Sequence, residues 1–114
     1  MLTLLRLLLL VLTLAGQPAL AAELLGQVVA IHDGNTLTLL TPERRQVRVR
    51  LYGIDAPESR QPYGTRAQQE LSALVFRKQI LVTVEDTDHY GRTVGRIWVD
   101  RLDVNAELVR RGAA

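Results

Sequence analysis

The chain has 114 residues, no cysteine, and 14 Lys and Arg against 12 Asp and Glu. This length excludes a multi-domain assembly, and the missing cysteine excludes a disulfide framework. The near balance of charge excludes a bulk basic field, so any contact with nucleic acid has to rest on a local patch.

Met1 to Ala22 reads as a leader. Arg6 gives a positive start, Leu7 to Leu14 is an almost unbroken apolar run, and Gly16-Gln17-Pro18 breaks it. Ala19-Leu20-Ala21 then supplies the small residues a signal peptidase needs. Cleavage is expected after Ala21 or one residue later. The apolar run is shorter than the ~20 residues that span a bilayer. The expectation is an exported protein, periplasmic or secreted, with one domain over residues 22–114. No stable membrane association is expected once the leader is removed. The 93 residues beyond Ala21 carry 13 basic and 12 acidic side chains, all the basic ones arginine except Lys78.

Leu24 to Ile31 is strongly apolar and predicts a buried first strand. Asp33-Gly34 is a hairpin turn pair. Thr36 to Leu40 alternates Thr and Leu and predicts a second strand; Thr41-Pro42-Glu43 turns the chain again. Gln46 to Tyr52 predicts a third strand, with Gln46, Arg48 and Arg50 on one face and Val47, Val49 and Leu51 on the other. Gly53 and Pro57 then punctuate the chain. Asp55 and Glu58 therefore fall on a tight loop directly after a strand that carries an arginine. A fixed cation, two carboxylates and a rigid turn suit a site for a phosphate and a metal ion. They equally suit a surface turn whose carboxylates cap backbone groups.

Thr65 to Phe76 favours helix, with Leu71, Leu74 and Val75 as its apolar stripe. Ile80 to Glu85 predicts a fourth strand and Asp86 to Gly91 a polar loop. Thr93 to Val99 predicts a fifth strand, with Trp98 expected in the core. Asp103 can cap a short last helix, Val104 to Arg111, which Gly112 stops. Five strands with a helix between the third and fourth is the order of an OB-fold barrel, a mostly β, α+β architecture. Such barrels favour nucleic-acid and oligosaccharide ligands, but a fold does not by itself establish a function.

Four segments in one order carry more. They are Ile31-His32-Asp33-Gly34-Asn35-Thr36, Arg50-Leu51-Tyr52-Gly53-Ile54-Asp55-Ala56-Pro57-Glu58, Asp88-His89-Tyr90-Gly91-Arg92, and Val104-Asn105-Ala106-Glu107-Leu108-Val109-Arg110-Arg111-Gly112. With them the chain resembles the staphylococcal nuclease-like, or thermonuclease, domain family over roughly Leu25 to Gly112. The resemblance implies calcium (Ca2+) as cofactor and DNA and RNA, single-stranded or frayed, as substrates. It implies Arg50 and Arg92 as the arginines that hold the phosphodiester and Glu58 as the catalytic carboxylate. It implies Asp55 as a direct calcium ligand, the Ala56 carbonyl as part of the metal shell, and Asn35 facing the metal from the hairpin.

The residue types suit those roles. A guanidinium forks onto two phosphate oxygens and stays charged at any working pH. Calcium prefers hard oxygen ligands and tolerates irregular geometry. A carboxylate beside the attacking water can orient it or take its proton. On position alone Arg92 reads as an ordinary solvated arginine. Tyr90 can stack on a base or cover the barrel mouth. His32 and His89 read as loop histidines without a catalytic role, and Asn105 as a structural residue bonded to a loop.

The chain departs from the family pattern in two places. The family has Asp-Gly-Asp-Thr where this chain has Asp33-Gly34-Asn35-Thr36, so one metal-facing carboxylate becomes an amide. Such domains also continue into a further helix and pocket tyrosines, whereas this chain ends at Ala114, a C-terminal truncation relative to the family. The reading is a monomeric, calcium-dependent nuclease of low sequence specificity. The alternative is a catalytically weak or inactive nuclease-derived OB-fold module that binds single-stranded nucleic acid.

Overall fold

Alternating apolar residues fold the middle of the chain into strands whose inner faces share one core. A computed structural model of the protein describes residues 22–57 and 60–114. The expected leader over residues 1–21 and the expected catalytic carboxylate Glu58 lie outside the described residues. The elements are β1 (Glu23–Asp33), β2 (Thr36–Leu40), β3 (Gln46–Leu51), α1 (Gly64–Val75), β4 (Gln79–Thr87), β5 (Thr93–Val99), β6 (Leu102–Asp103) and α2 (Val104–Arg110). The strands run in the order β3-β2-β1-β4-β5-β6, and an extra pairing of β3 with β5 closes the first five into a barrel. That seam is parallel, with Val49 opposite Thr93, Arg50 opposite Val94 and Leu51 opposite Gly95. The mostly β, OB-type barrel expected from the strand order is the observed fold.

Leu37, Leu39, Val49, Leu51, Val82 and Ile97 fill the interior, each fully buried. Leu71 and Val75 of α1 and Val104 and Leu108 of α2 belong to the same core. Each such side chain contributes about 1.5–3 kcal/mol when fully withdrawn from water. Among the described residues, no helix is long and apolar enough to cross a membrane.

Two expectations are corrected. β1 is not a buried strand: only Gly26 and Val28 are buried, and Leu25 is 61% exposed. Its backbone is paired on both sides, with β2 and with β4, but among the described residues nothing covers Leu25 and Val29 on its outer face. Continuous burial needs cover on both faces. Trp98 is likewise only partly buried. It stands opposite Leu81, beside the inward-facing Ile97, and its Nε1 donates to Thr83 Oγ1 at 3.3 Å.

The last helix starts where the sequence places it, the Asp103 side chain accepting from the Ala106 N–H at 3.1 Å. It ends at Gly112, whose φ of 74° is a conformation glycine adopts without strain. Asn105, 2% exposed, ties this helix to the barrel seam. Its Oδ1 accepts from the Ile97 N–H at 3.0 Å, and its Nδ2 donates to the carbonyls of Tyr52 at 2.9 Å and Gly95 at 3.3 Å. The structural role expected for Asn105 is the one observed.

Candidate active site

The closed seam decides where the two expected arginines lie. Arg50 sits in β3 opposite Val94, and Arg92 immediately precedes β5. The parallel register therefore brings them to the same end of one strand pair. Arg50 Nη2 donates to Asp55 Oδ1 at 3.0 Å, across the turn that Gly53 makes possible with φ 73°. The Asp55 side chain is 98% exposed, so its remaining oxygen faces solvent.

Arg92 is held by Asp88, a partner that the sequence reading did not single out. Arg92 Nε donates to Asp88 Oδ2 at 2.8 Å, and the N–H groups of Arg92 and Tyr90 donate to Asp88 Oδ1 at 2.9 and 3.1 Å. Desolvation pushes the Asp88 carboxyl up, but these hydrogen bonds from Arg92 and Tyr90 outweigh it and hold the carboxyl below its ordinary value. The order they confer is complete above the ordinary carboxylate pKa and is lost as pH falls through the lowered one. The spacing Asp88-x-x-Gly91-Arg92 was the available signal, because an Asp can close a turn onto backbone N–H groups two and four residues on.

Tyr90 is 73% exposed, with the Arg92 guanidinium 5.4 Å from its ring centroid. The His89 ring lies 4.0 Å from the Tyr90 ring, tilted by 39°. The loop thus presents one aromatic face beside one guanidinium.

The β1–β2 hairpin packs against the loop after β3. A Cβ on Gly34 would stand 2.8 Å from the Ala56 Cβ and 2.7 Å from the Ala67 Cβ. Only glycine therefore allows the hairpin to approach both the loop and α1 so closely. Asn35 follows and is 9% exposed. Its N–H donates to Asp33 Oδ1 at 2.9 Å, and its carbonyl accepts from the Leu51 N–H at 2.8 Å. Its Oδ1 accepts from the Thr36 hydroxyl at 3.2 Å, and its Nδ2 donates to the Ile54 carbonyl at 3.4 Å. Asn35 is thus bonded into the loop as well as placed beside it.

A cleft of about 370 Å3 opens between Asp55, Tyr63 and Arg66 on the α1 side and the segment Arg111 to Ala114; of the expected site residues only Asp55 lines it, and Asn35, Ala56, Arg50 and Arg92 do not. This is within the size range of small-ligand sites. The donors on the loop and hairpin, Asp55, the Ala56 carbonyl and the Asn35 amide, are hard oxygens, the chemistry of a calcium or magnesium site rather than a thiolate–imidazole one. Among the described residues, no three His, Asp or Glu side chains gather into a metal-binding group. Asn35 Oδ1 already accepts from the Thr36 hydroxyl, so a cation between the hairpin and the loop would have to share that oxygen and take its charge from Asp55.

The sequence model described as staphylococcal nuclease homologue matches residues 48–114, the segment from β3 through α2 that carries both arginines. Protein ParB of Escherichia coli is 48% identical over 102 residues, 82% of this chain and 57% of its own length. Micrococcal nuclease of Shigella flexneri is 41% identical over 102 residues, 82% of this chain and 58% of its own. An uncharacterized endonuclease of Escherichia coli O157:H7 is 41% identical over 106 residues, 92% of this chain and 69% of its own. The chain thus spans somewhat more than half the length of the first two relatives. With its barrel and these matches, the chain belongs to the staphylococcal nuclease homologue family.

Proposed function

We propose that the protein is a calcium-dependent nuclease that hydrolyses phosphodiester bonds of DNA and RNA with little sequence preference. In this reading it acts on single-stranded or frayed substrate, as an exported monomer. The observation that carries the reading is the parallel register that sets Arg50 of β3 and Arg92 before β5 at one end of the seam, with Arg50 bonded to the exposed Asp55 carboxylate. Two fixed cations suit a phosphodiester whose negative charge grows in the transition state. The relatives named as nucleases support the same chemistry.

Arg50 holds the phosphate oxygens, while Asp55 keeps its guanidinium pointed at the loop. Arg92, oriented by Asp88, meets the charge that develops on the phosphoryl group. Glu58 takes a proton from the attacking water as the water oxygen bonds to phosphorus and the bond to the leaving oxygen breaks. Asp55, the Ala56 carbonyl and Asn35 would hold Ca2+. When bound, the ion supplies positive charge at the phosphate and lowers the pKa of nearby water. Tyr90 offers a base a stacking face beside Arg92; such stacking is worth about 1–3 kcal/mol per base.

Digestion of single-stranded DNA by the purified protein, with calcium and with a chelator, tests the reading. Cleavage is expected only with calcium, and Glu58→Gln is expected to slow turnover while leaving substrate binding largely in place. Binding without cleavage under both conditions would replace the enzyme with a nucleic-acid-binding barrel.

Asn35→Asp separates the metal from the fold. The carboxylate loses the donor that meets the Ile54 carbonyl, and orphaning one buried polar group costs about 1–3 kcal/mol. The calcium-free variant is therefore expected to melt below wild type. Added carboxylate charge strengthens calcium binding, so calcium is expected to narrow the gap and to bind the variant more tightly. Identical calcium affinities by calorimetric titration would remove Asn35 from the metal shell.

A further inference from the structure

β3 has a second, outward use that the site does not absorb. Its residues alternate strictly: Val49 and Leu51 are fully buried, while Gln46 and Arg48 are exposed and Arg50 is half-buried. Across the ladder, Thr36 stands opposite Arg50 and Thr38 opposite Arg48. The outward row of β3 is therefore one of guanidiniums, while Thr36 is buried with its hydroxyl bonded to Asn35 and the Thr38 hydroxyl is engaged by His32. Neither β2 nor β3 contains a carboxylate.

Arg50 is ion-paired, but Arg48 makes no ion pair among the described residues. Arg44 and Arg45 continue the positive charge into the β2–β3 turn, and both are exposed. This turn is a built one, with Thr41 bonded to Arg45 through backbone and side chain at 2.9 and 3.1 Å. The face is also ordered beside β1, where His32 Nε2 and Thr38 Oγ1 lie 2.6 Å apart. The carboxylates nearest in sequence are Asp33, whose Oδ1 is occupied by the Asn35 N–H, and the exposed Glu43.

We infer that the outer face of β2 and β3 is a track for the sugar-phosphate backbone of a single strand leading away from the site. Arg48 is its first phosphate contact beyond Arg50, and Arg44 and Arg45 are its far end. This inference rests on nucleic acid being the substrate. Alternate residues of a strand lie about 6.8 Å apart. A stacked nucleic-acid strand advances about 3.4 Å per phosphate. Arg48 therefore meets the backbone about two nucleotides from the phosphate held by Arg50. In OB folds generally the face of the second and third strands receives oligonucleotides.

The salt dependence of binding tests the track. The probe is a labelled oligothymidylate of about 16 nucleotides, the upper end of the site size of one OB fold. Affinity is measured across a salt series, in chelator so that nothing is cleaved. Each phosphate contact contributes about 0.7 to the slope of log affinity against log salt for single strands. Arg48→Gln is expected to lower that slope by about 0.7, and Arg48→Lys, which keeps the charge, to restore most of it. Arg101→Gln removes the same charge from the β5–β6 turn, beyond the other end of the seam, and is expected to keep the wild-type slope. An unchanged slope in a folded Arg48→Gln protein overturns the track, as does an equal loss in Arg101→Gln. A slope that falls as expected in a protein that cleaves nothing with calcium leaves the track standing and removes the hydrolytic reading. Cleavage with an unchanged Arg48→Gln slope does the reverse.

Discussion

Arg92→Ala is expected to lower kcat on single-stranded DNA by about 10²–10³, the cost of losing one preorganised donor to transition-state charge. The side chain is built for that loss to be specific. Asp88 engages its Nε, and among the described residues the two terminal nitrogens of the guanidinium make no hydrogen bond, so in the proposed reading they are the ones that meet a phosphate. The residue's N–H also bonds Asp88, and that bond survives truncation to alanine. The loop and the melting temperature should therefore change little while turnover falls. Arg92→Lys is expected to recover only part of the rate, because an ammonium lacks the planar fork. A wild-type rate from folded Arg92→Ala protein would dismiss Arg92 from the chemistry.

Asn105→Ala is expected to be the most destabilising single change among those considered. The substitution removes three hydrogen bonds from a residue that is 2% exposed. The Gly95 carbonyl keeps the Tyr52 N–H, at 2.8 Å. The Ile97 N–H and the Tyr52 carbonyl lose the partner that Asn105 supplies. A buried group left unpaired costs about 1–3 kcal/mol. For a domain of this size each kcal/mol shifts Tm by about 4–8 °C. Two such groups cost about 2–6 kcal/mol together, so the expected fall is at least about 8 °C by these two scales, read by thermal melting and checked by urea titration. A variant melting within a few degrees of wild type would show that water or a backbone shift satisfies both groups.

Much of this architecture is legible in the chain because its local signals agree. Thr-Leu alternation in β2 and Arg-Val alternation in β3 have only one half-buried solution, and both strands form where expected. The Asp103 cap and the Gly112 stop bound α2 for equally local reasons. The misreadings concern what lies across a strand rather than along it. The apolar run of β1 looks the same whether both its faces are covered or one, and only the barrel decides that Leu25 faces water. Trp98 reads as core because it lies in a strand, whereas the strand's inward face falls on its neighbour Ile97 and leaves Trp98 only partly buried opposite Leu81. At the site, the Arg50–Asp55 contact follows from a short turn and is readable. The nearness of Arg92 to Arg50 depends on the β3–β5 pairing, which no local pattern announces. The second set of partners of Asn35 is hidden for the same reason, since Ile54 reaches it only through the folded hairpin.

That parallel seam also bears on how the proposed activity would be assembled during folding. Its partners, residues 49–51 and 93–95, are distant in sequence, with α1 and all of β4 between them. Bringing such ends together costs loop-closure entropy before any contact repays it, and non-local pairings of this kind slow folding. Hairpins such as β1–β2 and β4–β5 can form from near neighbours, but they leave the two arginines apart. Refolding protein should therefore regain strand content before it regains turnover, and the kinetic phase that restores cleavage should be the one that closes the barrel.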